Sequence, residues 1–177
     1  MTWTTPRTWA TGDEITATRL NEQLRDNMLE LRSSRTARVR RLTAQSIPDS
    51  ADPWATAIGF TSEDFDVPAW HSNTTNNTRI TPDVAGVYLV TANVEFAANA
   101  TGDRAIRIGV NGVDTSNMRA QTTTPAPTVN ALLSTTAVVL LNGTTDCIEI
   151  GAWQSSGGSL NTGTSLGCWC SVTWIGA

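Results

Sequence analysis

Val87-Tyr88-Leu89-Val90-Thr91-Ala92-Asn93-Val94-Glu95-Phe96 is the stretch from which the fold is read. Tyr88, Val90, Ala92, Val94 and Phe96 recur at every second position, with Thr91, Asn93 and Glu95 between them. Strand side chains alternate between faces, so the first set points inward and the second outward. Further along, Arg104 to Val110 alternates again, with Ile106, Ile108 and Val110 on one side. It runs into Asn111-Gly112, a tight-hairpin signal. A second Asn-Gly, Asn142-Gly143, closes a strand from Leu132 to Leu141 and opens another from Asp146 to Trp153. The last strand, Cys168 to Ile175, puts Cys170, Val172 and Trp174 on one face and Trp169, Ser171, Thr173 and Ile175 on the other. Evenly spaced strands with Asn- and Gly-rich turns and no helical period predict a mainly β protein, a sandwich or jelly roll. Both faces of the last strand carry large apolar groups. One fills the core; the other, with Trp169 and Ile175, needs a cover, and an interface between copies supplies one.

The N-terminal segment reads differently. Trp3-Thr4-Thr5-Pro6-Arg7-Thr8-Trp9 cannot be helical through Pro6, so it is an extended arm with two indoles and no local core to enter. Those indoles must pack on the following helix, on a sister chain or on another protein. Gly12-Asp13-Glu14-Ile15-Thr16 supplies a turn and an N-cap at Thr16. From Ala17 the apolar spacing is helical. Ala17, Leu20, Leu24, Asn27, Leu31 and Ser34 alternate steps of three and four, a seam with a polar residue at Asn27. Such a residue costs stability and fixes register. So short a helix is marginal alone; it packs either on its own head or, the reading we favour, on its copies as a trimeric stalk. The organisation expected is an arm and helix over 1–34, a basic connector and first strand over 35–54, and a jelly-roll head over 55–177.

The chain has 177 residues and is 40% hydrophobic, enough for one β-domain with a core and a short extension. No apolar run is long enough to span a membrane, and Met1-Thr2-Trp3 does not open like a signal peptide. The product is therefore expected to accumulate in the cytoplasm of the cell that makes it. All twelve basic residues are Arg. Arg32, Arg35, Arg38, Arg40 and Arg41 cluster without an acid; the rest of the chain carries −9 where the whole carries −4. That balance argues against a general nucleic-acid binder and leaves the cluster as a basic collar or a solvated run. Cys147, Cys168 and Cys170 are odd in number and Cys168-Trp169-Cys170 lacks metal or redox spacing; on a strand Cys168 and Cys170 share one face, where small buried apolar groups are expected.

The residues do not assemble a catalytic constellation. His71 is the only histidine, beside Trp70 in a polar loop without a nucleophile signature. Glu63-Asp64-Phe65-Asp66 lacks the glycine and spacing of a calcium loop. Glu95, Asp103, Asp146 and Glu149 are carboxylates any sandwich carries, and none stands out as a glycan-hydrolysing pair. No enzyme, cofactor or metal site is expected. Loops over Ala97–Asp103, Asp114–Thr128 and Gln154–Thr164 are Asn-, Ser-, Thr- and Gly-rich and suit hydrogen bonding to sugars, with Trp153 as a surface on which a sugar ring could stack.

Two resemblances add to this. Asn76-Asn77-Thr78-Arg79-Ile80-Thr81-Pro82 leading into Ala85-Gly86-Val87-Tyr88-Leu89-Val90, then Ile108-Gly109-Val110-Asn111-Gly112, Val139-Leu140-Leu141-Asn142-Gly143 with Asp146-Cys147-Ile148-Glu149-Ile150, and Val172-Thr173-Trp174-Ile175-Gly176 follow one another in a familiar order. This head resembles the jelly roll of the complement globular-head and tumour-necrosis-factor-like proteins, over Ala55–Ala177. The resemblance implies a ten-strand jelly roll that forms a homotrimer through one side of each head. The arm, with Trp3, Pro6, Trp9, Gly12-Asp13-Glu14-Ile15-Thr16-Ala17 and Leu20-Asn21-Glu22-Gln23-Leu24-Arg25-Asp26-Asn27, resembles the N-terminal segment of minor structural proteins of tailed phages, especially those of actinobacterial hosts. It implies attachment to other virion proteins through Trp3, Pro6 and Trp9, a trimer stalk along Leu20, Leu24, Asn27 and Leu31, and a non-enzymatic knob on a tail that meets a host cell-surface glycan. The alternative is a capsid decoration or head-fibre protein. In either case the product is assembled in host cytoplasm and ends in the virion.

Overall fold

Antiparallel strands build the head in the computed structural model, which describes residues 4–32, 35–49, 56–114, 116–125, 128–164 and 167–176. The chain divides into two units, Met1–Arg35 and Thr36–Ala177.

In the second unit the strands are β1 (Thr36–Arg41), β2 (Ser46–Ile47), β3 (Thr56–Ala57), β4 (Ser62–Asp66), β5 (Arg79–Ile80), β6 (Gly86–Phe96), β7 (Arg104–Val110), β8 (Met118–Thr124), β9 (Ala131–Leu141), β10 (Ile148–Gln154), β11 (Leu160–Asn161) and β12 (Cys168–Gly176). One five-stranded sheet has the order β4-β1-β12-β6-β9. The other has the order β3-β10-β7-β8, with β5 also pairing β10, and β2 pairs β11 separately. The two larger sheets face each other as a jelly-roll sandwich, and their ten strands are the number the resemblance implies.

The core lies between them. Tyr88, Val90, Ala92, Val94 and Phe96 of β6 meet Ile106, Ile108, Ile148 and Ile150 of the opposite sheet, all fully buried. The inward set read from β6 and β7 is therefore the core set. Cys168, Cys170 and Val172 of β12 join it, with the two thiols buried as expected; Cys147 is free and buried as well. The basic segment 35–41 supplies β1, which sits between β12 and β4.

Two local expectations are corrected. Asn111-Gly112 does not make a two-residue hairpin: β7 and β8 do pair, but the connection runs over 111–117 and closes with Val110 N–H donating to Asn117 O. Asn111 (φ 63°) instead receives Cys147 N–H on Oδ1 and donates to Asp146, tying this connection to the one after β9. The connection has a packing role too. Val113 folds back over Gly151, where an added Cβ would lie 2.9 Å from the valine Cβ. Second, Glu95 is not a solvated outward residue. Its carboxylate is buried and accepts from Asn130 Nδ2 and Gly167 N–H, both at 3.0 Å. His71 stands in the loop between β4 and β5, with its side chain fully buried.

In the first unit, Thr16 caps a helix over 17–32 by accepting from Arg19 N–H. Its middle, Asn21–Asp26, is π-helical. Such a wider turn advances less per residue, so steps of four stay on one side.

Candidate docking and assembly surfaces

Register gives the sandwich two distinct ends. Thr36, Leu141, Ile148 and Gly176 lie at the end where the head begins, called proximal below. Phe96, Arg104, Ala131, Gln154 and Cys168 lie at the distal end. The segments Ala97–Asp103 and Gln154–Thr164 are therefore distal. Asp114–Thr128 is not a single loop: it starts proximally, runs the length of the edge strand β8 and ends distally. Trp153 sits inside β10 opposite Ala105, on the outer face of the second sheet and not at a loop tip.

The distal segment 97–103 is held from within. Arg104 is fully buried and donates through Nη1 and Nη2 to the carbonyls of Thr101, Asp103 and Asn99. Burial pushes this guanidinium's pKa down, which its neighbour Asp103 partly opposes. Arg107, also buried, donates to Val113 O and Gln121 Oε1. Neither arginine was recognisable as buried from alternation, because carbonyls of the adjoining segments, and for Arg107 also Gln121 of β8, take the guanidinium hydrogen bonds.

The outer face of the first sheet carries several exposed apolar side chains. Leu89 faces Val138 and Val87 faces Leu140 across β6 and β9. Val138, Leu140 and Ile175 are 62%, 75% and 53% exposed. Trp169 lies on this face but is already pinned. Arg38 sits 4.4 Å over its ring, and Asn93, with its amide oriented to satisfy its neighbours, accepts from Trp169 Nε1 at 3.2 Å. Of the two residues assigned to the head interface, Ile175 is open and Trp169 is half-covered by its own chain.

The basic collar finds its acids next door. Arg38 and Arg40 both reach Asp64, at 3.3 and 2.9 Å, because β1 pairs β4. The remaining acids of that run serve other partners. Asp66 accepts from the Trp70 and His71 N–H groups, and Glu63 Oε1 lies 3.0 Å from His71 Nδ1. His71 Nε2 is 3.2 Å from Asn77 O, and Trp70 Nε1 donates to Asp83. These contacts make a rigid wall for an open cleft of about 370 Å³, lined also by Arg79, Thr144 and Cys147. Burial pushes the Cys147 thiol pKa up, away from the reactive thiolate. Among the described residues there is no group of three His, Cys, Asp or Glu able to hold a metal ion, and no helix is long and apolar enough to cross a membrane.

In the first unit, Trp3 lies outside the described residues, as does the side chain of Leu31. Pro6 is exposed, and Trp9 is half-exposed with the Arg7 guanidinium 4.6 Å over its ring. Arg7 is held in turn by Asp13 at 2.9 Å. Asp13 also accepts from Ala10 N–H and closes the turn through its own N–H to Ala10 O. Leu20, Leu24 and Met28 are exposed at spacings of four. Asn27 behaves differently: it is buried, and its amide is engaged with the arm by hydrogen bonds to Thr4.

Comparison of the sequence with protein-family models and with curated proteins finds no match. Solved structures do match. Murine APRIL at pH 5.0 aligns with TM-score 0.60 at 11% identity, over 81% of this chain and 100% of that one. Eiger TNF from S. frugiperda aligns with TM-score 0.53 at 10% identity, over 80% of this chain and 92% of that one. The head has a tumour-necrosis-factor-like jelly-roll fold. At these identities the likeness concerns fold alone.

Proposed function

We propose that this chain is a non-enzymatic virion protein of a tailed phage, a homotrimeric knob carried on the tail or tail tip. The observation that carries the trimer is the apolar stripe of Leu89, Val138, Leu140 and Ile175 on the outer face of a sheet whose inner face already fills the core. A soluble protein rarely leaves so much adjoining apolar surface wet, and closed rotational symmetry hides it in every copy at once. The tumour-necrosis-factor-like fold supports the same assembly. Attachment to the particle is supported by the first unit, which exposes Trp9, Ile15, Leu20, Leu24 and Met28. The distal segments 97–103 and 154–164 are the parts of the knob we assign to a host-surface glycan.

Light scattering of the purified chain tests the assembly, with three times the 18.9 kDa chain mass expected. A lone 18.9 kDa species would sink it. Deleting residues 1–34 should leave a folded head that no longer joins assembling particles. Counting copies per particle separates a tail knob, present in a few trimers, from a capsid decoration present in hundreds.

A further inference from the structure

Asn27 reads as the polar member of a stalk seam, but its contacts assign it elsewhere. Its Oδ1 accepts from Thr4 N–H at 2.9 Å and its Nδ2 donates to Thr4 O at 2.9 Å, the two bonds one strand residue offers another. One turn earlier, Gln23 Oε1 accepts from Arg7 N–H, also at 2.9 Å. Asn27 Nδ2 lies 3.3 Å from Gln23 O, which fixes the carboxamide in its place. Among the described side chains of residues 4–29, Asn27 alone is buried. At the other end of the arm, the Asp13 carboxylate takes Ala10 N–H and Arg7 Nη2, each at 2.9 Å, and Gly12 (φ 92°) turns the chain back.

We propose that Gln23 and Asn27 form a backbone-reading clamp that fixes the arm against the helix before it meets its partner. An extended segment through Pro6 has no regular pairing of its own, and free in solution it would lose much conformational freedom on docking. Two carboxamides spaced four apart on a helix stand on one side of it and supply the donor and acceptors of a strand edge. The clamp contacts only main-chain atoms of Thr4 and Arg7. It therefore leaves the arm's side chains to the partner, and presents Trp9, braced by Arg7, as a pre-set indole anchor for an apolar pocket on a particle protein. With Asn27 spent on the arm, the apolar line of the helix is Leu20, Leu24 and Met28, and not the seam through residue 27. The anchor role rests on the docking reading above; the clamp does not.

The test is Asn27→Leu in the full-length chain, with Gln23→Ala as a milder variant and Asn27→Gln as the conservative one. Leucine would improve a coiled-coil seam but cannot bond the arm. The clamp requires that the Thr4 and Arg7 amides exchange hydrogen at least tenfold faster in Asn27→Leu, with helical circular dichroism and solution mass unchanged. Gln23→Ala should release Arg7 alone, and Asn27→Gln should recover part of the protection. Unchanged exchange at Thr4, or a more heat-stable assembly with the arm still protected, would overturn the clamp. Particle incorporation of Asn27→Leu should fall at least tenfold. Fast exchange with normal incorporation would uphold the clamp and overturn the anchor role.

Discussion

Glu95 shows how a single residue escapes a periodic reading. Alternation along β6 places it with Thr91 and Asn93, yet it is buried because Asn130 and the segment around Gly167 close over it. Glu95→Ala would remove the buried acceptor of the half-buried Gly167 N–H and of the exposed Asn130 amide, and a cost of about 1–2 kcal/mol is expected in denaturant unfolding of the head. The cysteines offer a second check at this scale. Burial pushes the Cys170 and Cys168 thiols up in pKa, and burial does the same to Cys147. In native protein at pH 8, Cys168 and Cys170 should react with a thiol reagent only as fast as the head unfolds. Asp13 has the opposite sign. The Ala10 N–H that its carboxylate accepts holds its pKa below the usual 3.8. The turn it closes is thus fully supported above that value and loses support as pH falls through the lower, folded one. Amide exchange at Ala10 should accelerate only in that acid range, and no acceleration there would show that the carboxylate is not what holds the turn.

Among the elements, the connection after β7 departs most from its sequence signal. Asn111 and Gly112 both have the positive φ that a tight turn requires, but the chain continues to Asn117 before pairing resumes. The reason lies across the sheet, where Gly109 and Gly151 leave a bare strip on which the connection lies. A Cβ at Gly109 would collide with the Gly112 carbonyl. Gly109→Ala should therefore destabilise the head by about 1–3 kcal/mol, as overpacking does, and loosen the tie from Asn111 to Cys147. A thermal melt unchanged from wild type would mean that the connection does not bear on the sheet. The pairing of β1 with β4 has a signal that can be read in retrospect. The last three arginines of the acid-free run, Arg38, Arg40 and Arg41, stand on β1, the run Glu63-Asp64-Phe65-Asp66 forms most of β4 beside it, and Asp64 lies between Arg38 and Arg40. Each run alone looked like a solvated stretch.

For the molecule as a whole, the trimer proposed above rests on the outer face of the first sheet. Val138→Asp with Leu140→Asp puts two charges where an interface between copies would be, and burying unpaired charge is costly. Both side chains are exposed in one chain, so the variant should fold and run as an 18.9 kDa monomer. An unchanged oligomer would move the interface off this face. The distal segments should tolerate substitution without any change in mass, since they lie at the far end of the strands.

Local order determined what could be known from the chain alone. The period of two in β6, β7 and β12 follows from strand geometry and needs no neighbour, so the sandwich, its central core set and the two buried thiols of β12 were legible. The break at the helix was legible for the same reason, since spacing and capping are local. Only the tertiary structure decided what each polar side chain bonds. Asn27 went to the arm and not to a seam, Glu95 and His71 went inward, Arg38 and Arg40 met Asp64, and one supposed loop was divided between two ends of the sandwich. Hydrogen-bond and charge partners lie far apart along the chain, and periodicity carries no information about such distances.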